Sequence, residues 1–321
     1  MSKVAVTDFT FPNLDLETAI LEPLDCQLIA GQCKDTPSLI ELTSDADYVI
    51  TQFAPLDAAV IAAMQRARVI VRYGIGVDNV DIDAAQARGI PVCNVPDYCI
   101  DEVADQTLAF MLASTRQLSA NHRHLQEGNW GRAVPLERMR ALNDLTVGVV
   151  GFGRIGKAVT RRLIPFGCRV TVFDPVVEPG EIEDRGGTPV SWETLVGDSD
   201  ILTLHCPSTD QTRGMIGRET LTRMPLGAIL INVARGDLVD TGALVEALQS
   251  GHLSAAAMDV FDPEPLPKDH PLLQIESVLV SSHIASTSVK SARKLRETAA
   301  GIVACRIRNE RLPNIVNGVA D

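Results

Sequence analysis

The sequence predicts an α/β protein built from two doubly wound parallel-sheet domains. Short apolar runs alternate with helical patterns along most of the chain, which is typical of parallel strands joined by crossover helices. A glycine-rich motif follows one of these runs only near residue 150, so the elements before it must form a separate sheet. The length of 321 residues also exceeds what one hydrophobic core usually needs.

The elements of the first domain come from the beginning of the chain. Apolar runs predict strands at residues 4–7, 48–51, 69–72 and 91–94, with helical patterns beginning at Leu56 and Ile82 between them. A long helical pattern follows at residues 101–127, opened by Asp101 as a cap and closed at Gly128. We expect this to be one helix that forms the hinge between the domains.

The second domain continues the alternation. Strands are predicted at residues 146–150, 169–173, 201–204, 228–233, 255–260 and 278–281, and helices at 155–163, 218–223 and 241–249. A final helical pattern at residues 288–308 has no strand after it, so we expect it to cross back to the first domain. The predicted domains are therefore 1–100 with 288–321, and 101–287.

The glycine-rich motif is GFGRIG at residues 151–156, directly after the strand predicted at 146–150. In this pattern Gly151 makes a tight turn, Gly153 lets the backbone approach a pyrophosphate, and Gly156 lets the helix pack on the strand. The N–H groups at the start of that helix attract phosphate. The segment therefore predicts a Rossmann-type dinucleotide site in the second domain, which leaves the discontinuous first domain for the substrate.

An acidic residue, Asp174, ends the next predicted strand. A carboxylate there accepts hydrogen bonds from the ribose hydroxyls and repels a 2′-phosphate, and Pro175-Val176-Val177 offers no arginine to that phosphate. We expect NAD rather than NADP as the cofactor. The alternative is that Asp174 only caps its loop.

Composition narrows the function classes. A net charge of -12 argues against nucleic acid as a partner, and 45% hydrophobic with 22% charged residues is ordinary for a soluble protein. We expect neither a signal peptide nor a membrane span. Seven cysteines without paired spacing, and no metal-ligand spacing, predict reduced thiols, a cytoplasmic location and no metal site.

Three polar residues follow predicted strands of the second domain: Arg235, Glu264 and His283. A guanidinium can bind a carboxylate in a fork and polarise the neighbouring carbonyl, while an imidazole donates a proton to the developing alkoxide. A carboxylate beside the imidazole favours its protonated form and orients it. The set suffices for reducing a 2-oxo acid, although each residue taken singly could be a salt-bridge arginine, a loop acid or a backbone-bonded histidine.

These residues resemble those of the D-isomer-specific 2-hydroxyacid dehydrogenases. The likeness covers about residues 45 to 318 and rests on ordered motifs, namely YGIGVDNVD at 73–81, NVP at 94–96, GFGRIG at 151–156, HCP at 205–207, NVARG at 232–236, DVF at 259–261 with Glu264-Pro265, and HIAS at 283–286. The resemblance implies that Arg235, Glu264 and His283 are catalytic, in agreement with the chemistry above.

The resemblance also implies binding residues. Along the cofactor it places Gly151, Gly153, Arg154, Ile155, Gly156, Asp174, Cys206, Pro207, Thr212, Val233, Ala234, Arg235, Asp259, His283 and Ala285, with Asp174 on the ribose and Asp259 on the nicotinamide carboxamide. For the substrate it implies Arg72, Tyr73, Gly74, Ile75, Gly76 and Arg235, with backbone N–H groups of the Gly74 loop binding the carboxylate. Ser282 stands where many members have proline.

We expect a homodimer whose active site lies in the cleft between its two domains, transferring a hydride between nicotinamide C4 and C2 of a small D-2-hydroxy or 2-oxo acid. The alternatives left open are an NAD(H)-sensing corepressor and a short-form 3-phosphoglycerate dehydrogenase. Formate dehydrogenases resemble the pattern with glutamine at the position of Glu264. The sequence leaves open which acid is used and whether Trp130 lies in an interface or lines a neighbour's pocket.

Overall fold

The computed structural model of the protein describes residues 1–320. The chain divides into two compact units. Unit 1 consists of Met1–Tyr98 and the chain from Ser288 onward, and unit 2 is Cys99–Thr287.

The strands and helices alternate in chain order. Unit 1 begins with β1 (Ser2–Val6), α1 (Asp15–Leu21), β2 (Cys26–Ala30), α2 (Thr36–Thr43), β3 (Tyr48–Thr51), α3 (Ala58–Ala63), β4 (Ile70–Arg72), α4 (Ile82–Ala87) and β5 (Val92–Cys93). Unit 2 contains α5 (Ile100–Thr115), α6 (Leu118–Gln126), β6 (Thr146–Val150), α7 (Arg154–Leu163), β7 (Arg169–Phe173), α8 (Pro179–Glu183), β8 (Thr188–Pro189), α9 (Trp192–Asp198), β9 (Ile201–Leu204), α10 (Arg218–Arg223), β10 (Ala228–Asn232), α11 (Thr241–Gln249), β11 (Leu253–Met258) and β12 (Val278–Val280). The last helix, α12 (Val289–Ile307), belongs to unit 1.

The sheet of unit 1 has five parallel strands in the order β2-β1-β3-β4-β5. This is the flavodoxin-like order, in which the chain reverses direction across the sheet beside β1. Helix α12 contributes Leu295, Ala299 and Val303 to the core formed with β1, β3 and β4. Strand β2 has no counterpart among the predicted strands because its burial is incomplete and its sequence, CQLIA, carries a weak apolar pattern.

The sheet of unit 2 has seven parallel strands. Read from one edge, the order is β8-β7-β6-β9-β10-β11-β12, which is the Rossmann order of six strands with one more strand at the edge. Strands β9 and β10 are buried at every residue, as expected for parallel strands covered by helices on both faces. The predicted fold class, two doubly wound parallel sheets, is confirmed.

The prediction of a single helix at residues 101–127 is wrong. The segment forms α5 and α6, separated at Gln117, whose φ of 52° lies in the left-handed region and breaks the hydrogen-bond ladder. The side chain of Gln117 then donates to the carbonyl of Ser114 (2.7 Å), which satisfies an acceptor at the end of α5.

The cap predicted for that helix is also wrong. Residue Cys99 occupies the N-cap position of α5, while Asp101 lies in the first turn and accepts a hydrogen bond from Arg162 on α7 (2.7 Å). The predicted end is observed, since α6 finishes just before Gly128, whose φ is 85°.

Within the described residues, none of the helices has the length and apolar character needed to cross a membrane. All seven cysteines are free thiols. Residues 1–320 contain no cluster of His, Cys, Asp and Glu side chains suited to holding a metal ion.

Candidate active site

Strands β10, β11 and β12 are neighbours in the sheet and run parallel, so their carboxyl ends lie at one edge. Arg235 follows β10, Glu264 follows β11 and His283 follows β12. Open parallel sheets bind ligands at this edge. The fold therefore brings the three predicted catalytic residues to one place within unit 2.

The loop that carries Arg235 is closed by a buried amide. Asn232, the last residue of β10, donates through Nδ2 to the carbonyl oxygen of Arg235 (2.7 Å) and accepts through Oδ1 from the N–H of Ala234 (3.0 Å). Arg235 also donates to the carbonyl of Ala234 (2.7 Å). Because Asn232 is fully buried, these bonds fix the backbone from which the guanidinium extends.

Gly236 allows the loop after β10 to touch the loop after β11. A Cβ at this position would lie 2.0 Å from the carbonyl carbon and oxygen of Phe261, which is far closer than real contacts allow. The close approach places Arg235 near enough to Glu264 for its charge to act on that carboxylate. Gly236 is therefore required for bringing the two loops together.

His283 and Glu264 are in direct contact. The Nδ1 atom of His283 lies 2.8 Å from Oε2 of Glu264, and Oε1 of Glu264 accepts from the N–H of Phe261 (2.9 Å). A carboxylate on Nδ1 fixes the ring orientation and leaves Nε2 to face a substrate. This geometry fits the acid–base role predicted for His283.

The pKa of Glu264 lies below its ordinary value. Burial acts to raise it, but the hydrogen bond and charge of His283, the Phe261 N–H and the charge of Arg235 together outweigh burial. All of these contacts stabilise the carboxylate form. Glu264 is thus ionised beside His283 at neutral pH.

A buried carboxylate, that of Asp259, holds the His283 loop. Asp259 accepts from the Ser281 hydroxyl and from the N–H groups of Ile284 (3.0 Å) and Ala285 (2.9 Å), and its own carbonyl accepts from the N–H of His283 (2.7 Å). His283 has a φ of 55°, a left-handed conformation that costs energy in a non-glycine residue. The predicted contact of Asp259 with a carboxamide stays a prediction.

The glycines at 151–156 have three different environments. A Cβ on Gly151 would lie 2.9 Å from the His205 backbone, and one on Gly156 would lie 2.1 Å from the Gly151 carbonyl oxygen. A Cβ on Gly153 would meet nothing within 4 Å, and α7 begins directly after Gly153 without a side-chain cap. The open space and uncapped N–H groups at Gly153, Arg154 and Ile155 fit a pyrophosphate.

Asp174 lies at the end of β7, beside the glycine turn. Its Oδ2 accepts from the N–H of Phe152 (2.6 Å), and Oδ1 accepts from Val176 (2.9 Å) and Val177 (3.1 Å). These contacts hold the carboxylate at the edge of the turn and agree with the loop-cap alternative. They also leave about one acceptor position for a ribose hydroxyl, because a carboxylate accepts about four hydrogen bonds.

The remaining predicted cofactor residues lie on the loops that follow β9, β10 and β12. Val233 and Ala285 are buried, whereas Cys206, Pro207, Thr212 and Ala234 are at least partly exposed. The Thr212 hydroxyl contacts the carbonyl of Pro207 (2.7 Å) and so stabilises its own loop. His205 precedes them, and burial lowers the pKa of His205 to about 3, so this histidine stays neutral at physiological pH.

The predicted substrate residues of unit 1 follow β4. Arg72 is buried and its guanidinium lies 5.8 Å from the Phe53 ring centre, while the Tyr73 side chain is also buried and points into the unit. Gly74 has a φ of 151°, and a Cβ there would lie 1.4 Å from Nη1 of Arg72. Ile75 and Gly76 are partly exposed, so only this end of the loop offers its backbone to a ligand.

Three residues that support the site were not predicted from the sequence. Asn232 fixes the Arg235 loop, Ser281 contacts Asp259, and Asn94 donates to the carbonyl of Ile75 (2.6 Å). A polar residue at the end of an otherwise apolar strand was the available signal for Asn232 and Asn94. Their hydrogen-bond partners depend on loop geometry, which residue spacing does not contain.

Comparisons with known proteins show which families and structures this chain resembles. Residues 108–285 match the family model described as D-isomer specific 2-hydroxyacid dehydrogenase, NAD binding domain. The chain is 36% identical over 297 residues to a glyoxylate reductase of Korarchaeum cryptofilum, covering 92% of this chain and 87% of the relative.

Two further similarities extend over most of the chain. A D-3-phosphoglycerate dehydrogenase of Mycobacterium bovis is 36% identical over 284 residues, which is 88% of this chain and 53% of the relative. The chain thus spans about half the length of that enzyme. A crystal structure of D-lactate dehydrogenase from Aquifex aeolicus, complexed with NAD and lactic acid, has a TM-score of 0.90 at 28% identity and covers 99% of this chain and 100% of that one.

Alanine at Gly153 should affect NADH binding, whereas alanine at Gly156 should affect stability. Gly153→Ala should leave the free energy of unfolding within about 0.5 kcal/mol, because its site is open. The added methyl should weaken NADH binding about tenfold, which corresponds to about 1.4 kcal/mol, because it blocks the approach of the pyrophosphate to the backbone.

Gly156→Ala should lower the free energy of unfolding by about 1–3 kcal/mol, because its Cβ would meet backbone atoms. Urea unfolding and NADH fluorescence titration measure the two effects, and equal NADH affinity in wild type and Gly153→Ala would contradict the assignment.

The pKa of Glu264 should rise when His283 is replaced by alanine. The substitution removes the hydrogen bond and charge that oppose burial, so the carboxyl should titrate at higher pH than in the wild type. The stabilisation that wild-type Glu264 gains is present at neutral pH and is lost as the pH falls through its lowered pKa. Carbon-13 NMR of labelled glutamate carboxyls measures this shift. His122→Ala, at an exposed position, is the control, and an unchanged Glu264 titration in His283→Ala would reject the interaction.

Proposed function

The chain belongs to the D-isomer specific 2-hydroxyacid dehydrogenase family and is an NAD-dependent oxidoreductase, and from this we propose that it interconverts a small 2-oxo acid and the D-2-hydroxy acid at Arg235, Glu264 and His283. The contact of His283 with Glu264 at 2.8 Å is the observation that carries the proposal. We therefore favour an NAD-dependent enzyme over the alternative of an NAD(H)-sensing corepressor.

Arg235 is proposed to bind the substrate carboxylate and to polarise the carbonyl at C2. Its guanidinium has paired N–H donors that match a carboxylate, and its backbone is fixed by the Asn232 amide. Its positive charge also favours the alkoxide that develops at C2. NADH, when bound, supplies the hydride for C2.

His283 is proposed to donate the proton from Nε2 to the oxygen on C2 and to accept it in the reverse direction. Because Nδ1 is engaged by Glu264, we assign the proton transfer to Nε2. The negative charge of Glu264 stabilises the protonated ring before transfer. Asp259 acts on His283 through the loop backbone and is a positioning residue.

The loop of unit 1 after β4 is proposed to bind the substrate carboxylate through the N–H groups of Ile75 and Gly76. The carbonyl groups of this loop are already hydrogen-bonded within unit 1: that of Gly74 accepts from the N–H of Val95 (2.9 Å), and that of Ile75 accepts from the Asn94 side chain (2.6 Å). Arg72 adds positive charge beside Gly74. These features favour an anionic group at the loop.

A second candidate is D-3-phosphoglycerate dehydrogenase activity. It is favoured by the 36% identity to the M. bovis enzyme, although this chain spans 53% of that relative. The two candidates differ in whether the substrate carries a phosphate. A panel of 2-oxo acids that includes glyoxylate, pyruvate and 3-phosphohydroxypyruvate, each with NADH, separates them.

Turnover of the best acid in this panel should depend on His283. His283→Ala should lower kcat by about 10²- to 10⁴-fold, the usual contribution of a general acid, while the Kd for NADH stays within about twofold. Stopped-flow absorbance of NADH and fluorescence titration measure the two quantities. His122→Ala should behave as the wild type because His122 is exposed on α6. Wild-type turnover by His283→Ala would reject the proposed acid.

We further propose that the chain forms a homodimer through the segment that contains α6. This segment exposes large apolar side chains, namely Leu118, Leu125, Trp130 and Leu136, with Trp130 93% exposed. Apolar side chains concentrated in one surface segment are typical of an interface. A second copy of the chain would remove them from water, with Trp130 as an anchor of the kind that dominates binding energy.

Replacement of Trp130 by glutamate should dissociate the dimer. The dimer Kd should rise at least about 30-fold, as expected from the loss of about 2 kcal/mol at an interface anchor. Sedimentation velocity over a range of concentrations measures the change. Leu226→Glu is the matched control, because Leu226 is 80% exposed elsewhere in unit 2. A monomeric wild type, or equal dissociation of both variants, would reject this interface.

The cytoplasmic location inferred from the sequence stays a prediction. Free thiols at all seven cysteines agree with it, because a reducing compartment keeps cysteines unpaired.

A further inference from the structure

A buried polar cluster occupies the core of unit 1 at the end of β4. It consists of Glu17 on α1, Tyr73 directly after β4 and Arg296 on α12, and is called the Glu17 cluster below. Glu17 is 0% exposed, Tyr73 1% and Arg296 8%. Three elements that are distant in the sequence therefore meet at one carboxylate.

The contacts within the cluster engage both oxygens of that carboxylate. Oε1 of Glu17 accepts from the Tyr73 hydroxyl (3.0 Å) and from Nε of Arg296 (2.8 Å), and Oε2 accepts from Nη2 of Arg296 (2.6 Å). Nη2 of Arg296 also donates to the carbonyl of Asn13 (2.7 Å). The bidentate pair fixes both distance and orientation, which a single hydrogen bond does not.

Aromatic contacts enclose the cluster. The guanidinium of Arg296 lies 4.9 Å from the ring centre of Phe11, and the Phe11 and Tyr73 rings meet edge to face at 5.4 Å. Burial, followed by the Glu17 charge, raises the pKa of Tyr73 well above its ordinary value. The phenol therefore stays protonated at neutral pH and donates to Glu17.

The backbone of Tyr73 leads directly into the loop proposed to bind the substrate carboxylate. Its N–H donates to Thr51 on β3 (2.8 Å), while Gly74 adopts a φ of 151° immediately after it. The Gly74 and Ile75 carbonyls are held by the segment after β5, as described above. The Tyr73 side chain is thus the anchor of this loop on its interior side.

We propose that the Glu17 cluster is a positioning device for the substrate carboxylate, in which the Tyr73 hydroxyl, held by the Glu17–Arg296 pair, sets where the Ile75 and Gly76 N–H groups point. The inference rests on the proposed function for the identity of the bound group. Tyr73 then acts through its buried side chain and its backbone and makes no side-chain contact with substrate.

The chemistry of the cluster supports a positional role over simple packing. A buried ion pair can often be replaced by apolar residues of equal volume without loss of stability, so core filling does not require these groups. A phenylalanine would fill the space of the Tyr73 ring equally well. What phenylalanine lacks is the directional bond to Glu17, which fixes the position of the ring and of the backbone attached to it.

The test compares Tyr73→Phe with Tyr48→Phe. Tyr48 is also 1% exposed, and its hydroxyl accepts from Nη1 of Arg68 (2.9 Å), but it lies at the first residue of β3, the end opposite to the binding loops. Tyr73→Phe should raise KM for the 2-oxo acid about three- to tenfold, the effect of one lost hydrogen bond, with kcat and the KM for NADH within about twofold. Tyr48→Phe should leave all three constants within about twofold.

A second readout makes the test independent of turnover. Amide hydrogen exchange of the peptide that spans residues 74–80 should become at least about threefold faster in Tyr73→Phe and stay unchanged in Tyr48→Phe. Arg296→Lys, which keeps the charge but loses the fork, should produce the same pattern as Tyr73→Phe.

The outcomes separate the two proposals. Absence of wild-type turnover with every acid of the panel would reject the proposed function, and exchange alone would then decide whether the cluster holds the loop. If the wild type is active, an unchanged KM in Tyr73→Phe overturns the positioning role and leaves the proposed function intact. Equal effects of Tyr73→Phe and Tyr48→Phe would also overturn it, because the loss would then be general to buried hydroxyls.

Discussion

The geometry of the active site depends on the hydrogen bonds that the buried carboxylate of Asp259 accepts. This carboxylate lies just after β11 and accepts hydrogen bonds from Ser281, Ile284 and Ala285, so the loop after β12 is tied to the neighbouring strand. Without these bonds the left-handed conformation of His283 would have no compensation for its strain. The position of the imidazole opposite Glu264 therefore follows from a group that need not touch the substrate.

Glycines supply the second constraint, because they let backbones meet where side chains would separate them. Gly236 brings the loops of Arg235 and Glu264 together, and Gly156 seats α7 on the turn at Gly151. Gly153 differs from both, since the space beside it is open. The same residue type therefore serves protein packing at two positions and leaves open space at the third, where we propose that the ligand approaches, and only three-dimensional contacts distinguish these environments.

Most of the architecture could be predicted from the sequence, because apolar runs fully buried in a parallel sheet leave a clear pattern, as in β9 and β10. The prediction failed where local polar contacts override periodicity. Gln117 continues a helical pattern, yet it ends α5 with a left-handed turn that its own side chain supports. Strand β2 was missed because half-buried residues at the sheet edge give a weak signal. Of the site, the residue types at strand ends were predictable, whereas partners such as Asn232 depend on how the loops fold back.

Buried acids that hold loops in place follow one physical rule in both units. In unit 1, Asp8 accepts from the N–H groups of Gln52 (2.9 Å) and Phe53 (2.6 Å) and so fixes the loop after β3, much as Asp259 fixes the loop after β12. Glu17 does the same for Tyr73 with the help of Arg296. A carboxylate offers several acceptor sites to backbone donors that burial would otherwise leave unsatisfied, and the cost of burying its charge is offset only when those donors are in place. Because each carboxylate is satisfied in one loop conformation, the loops at the carboxyl ends of these strands are held in place before any ligand arrives, although no periodic apolar pattern specifies them.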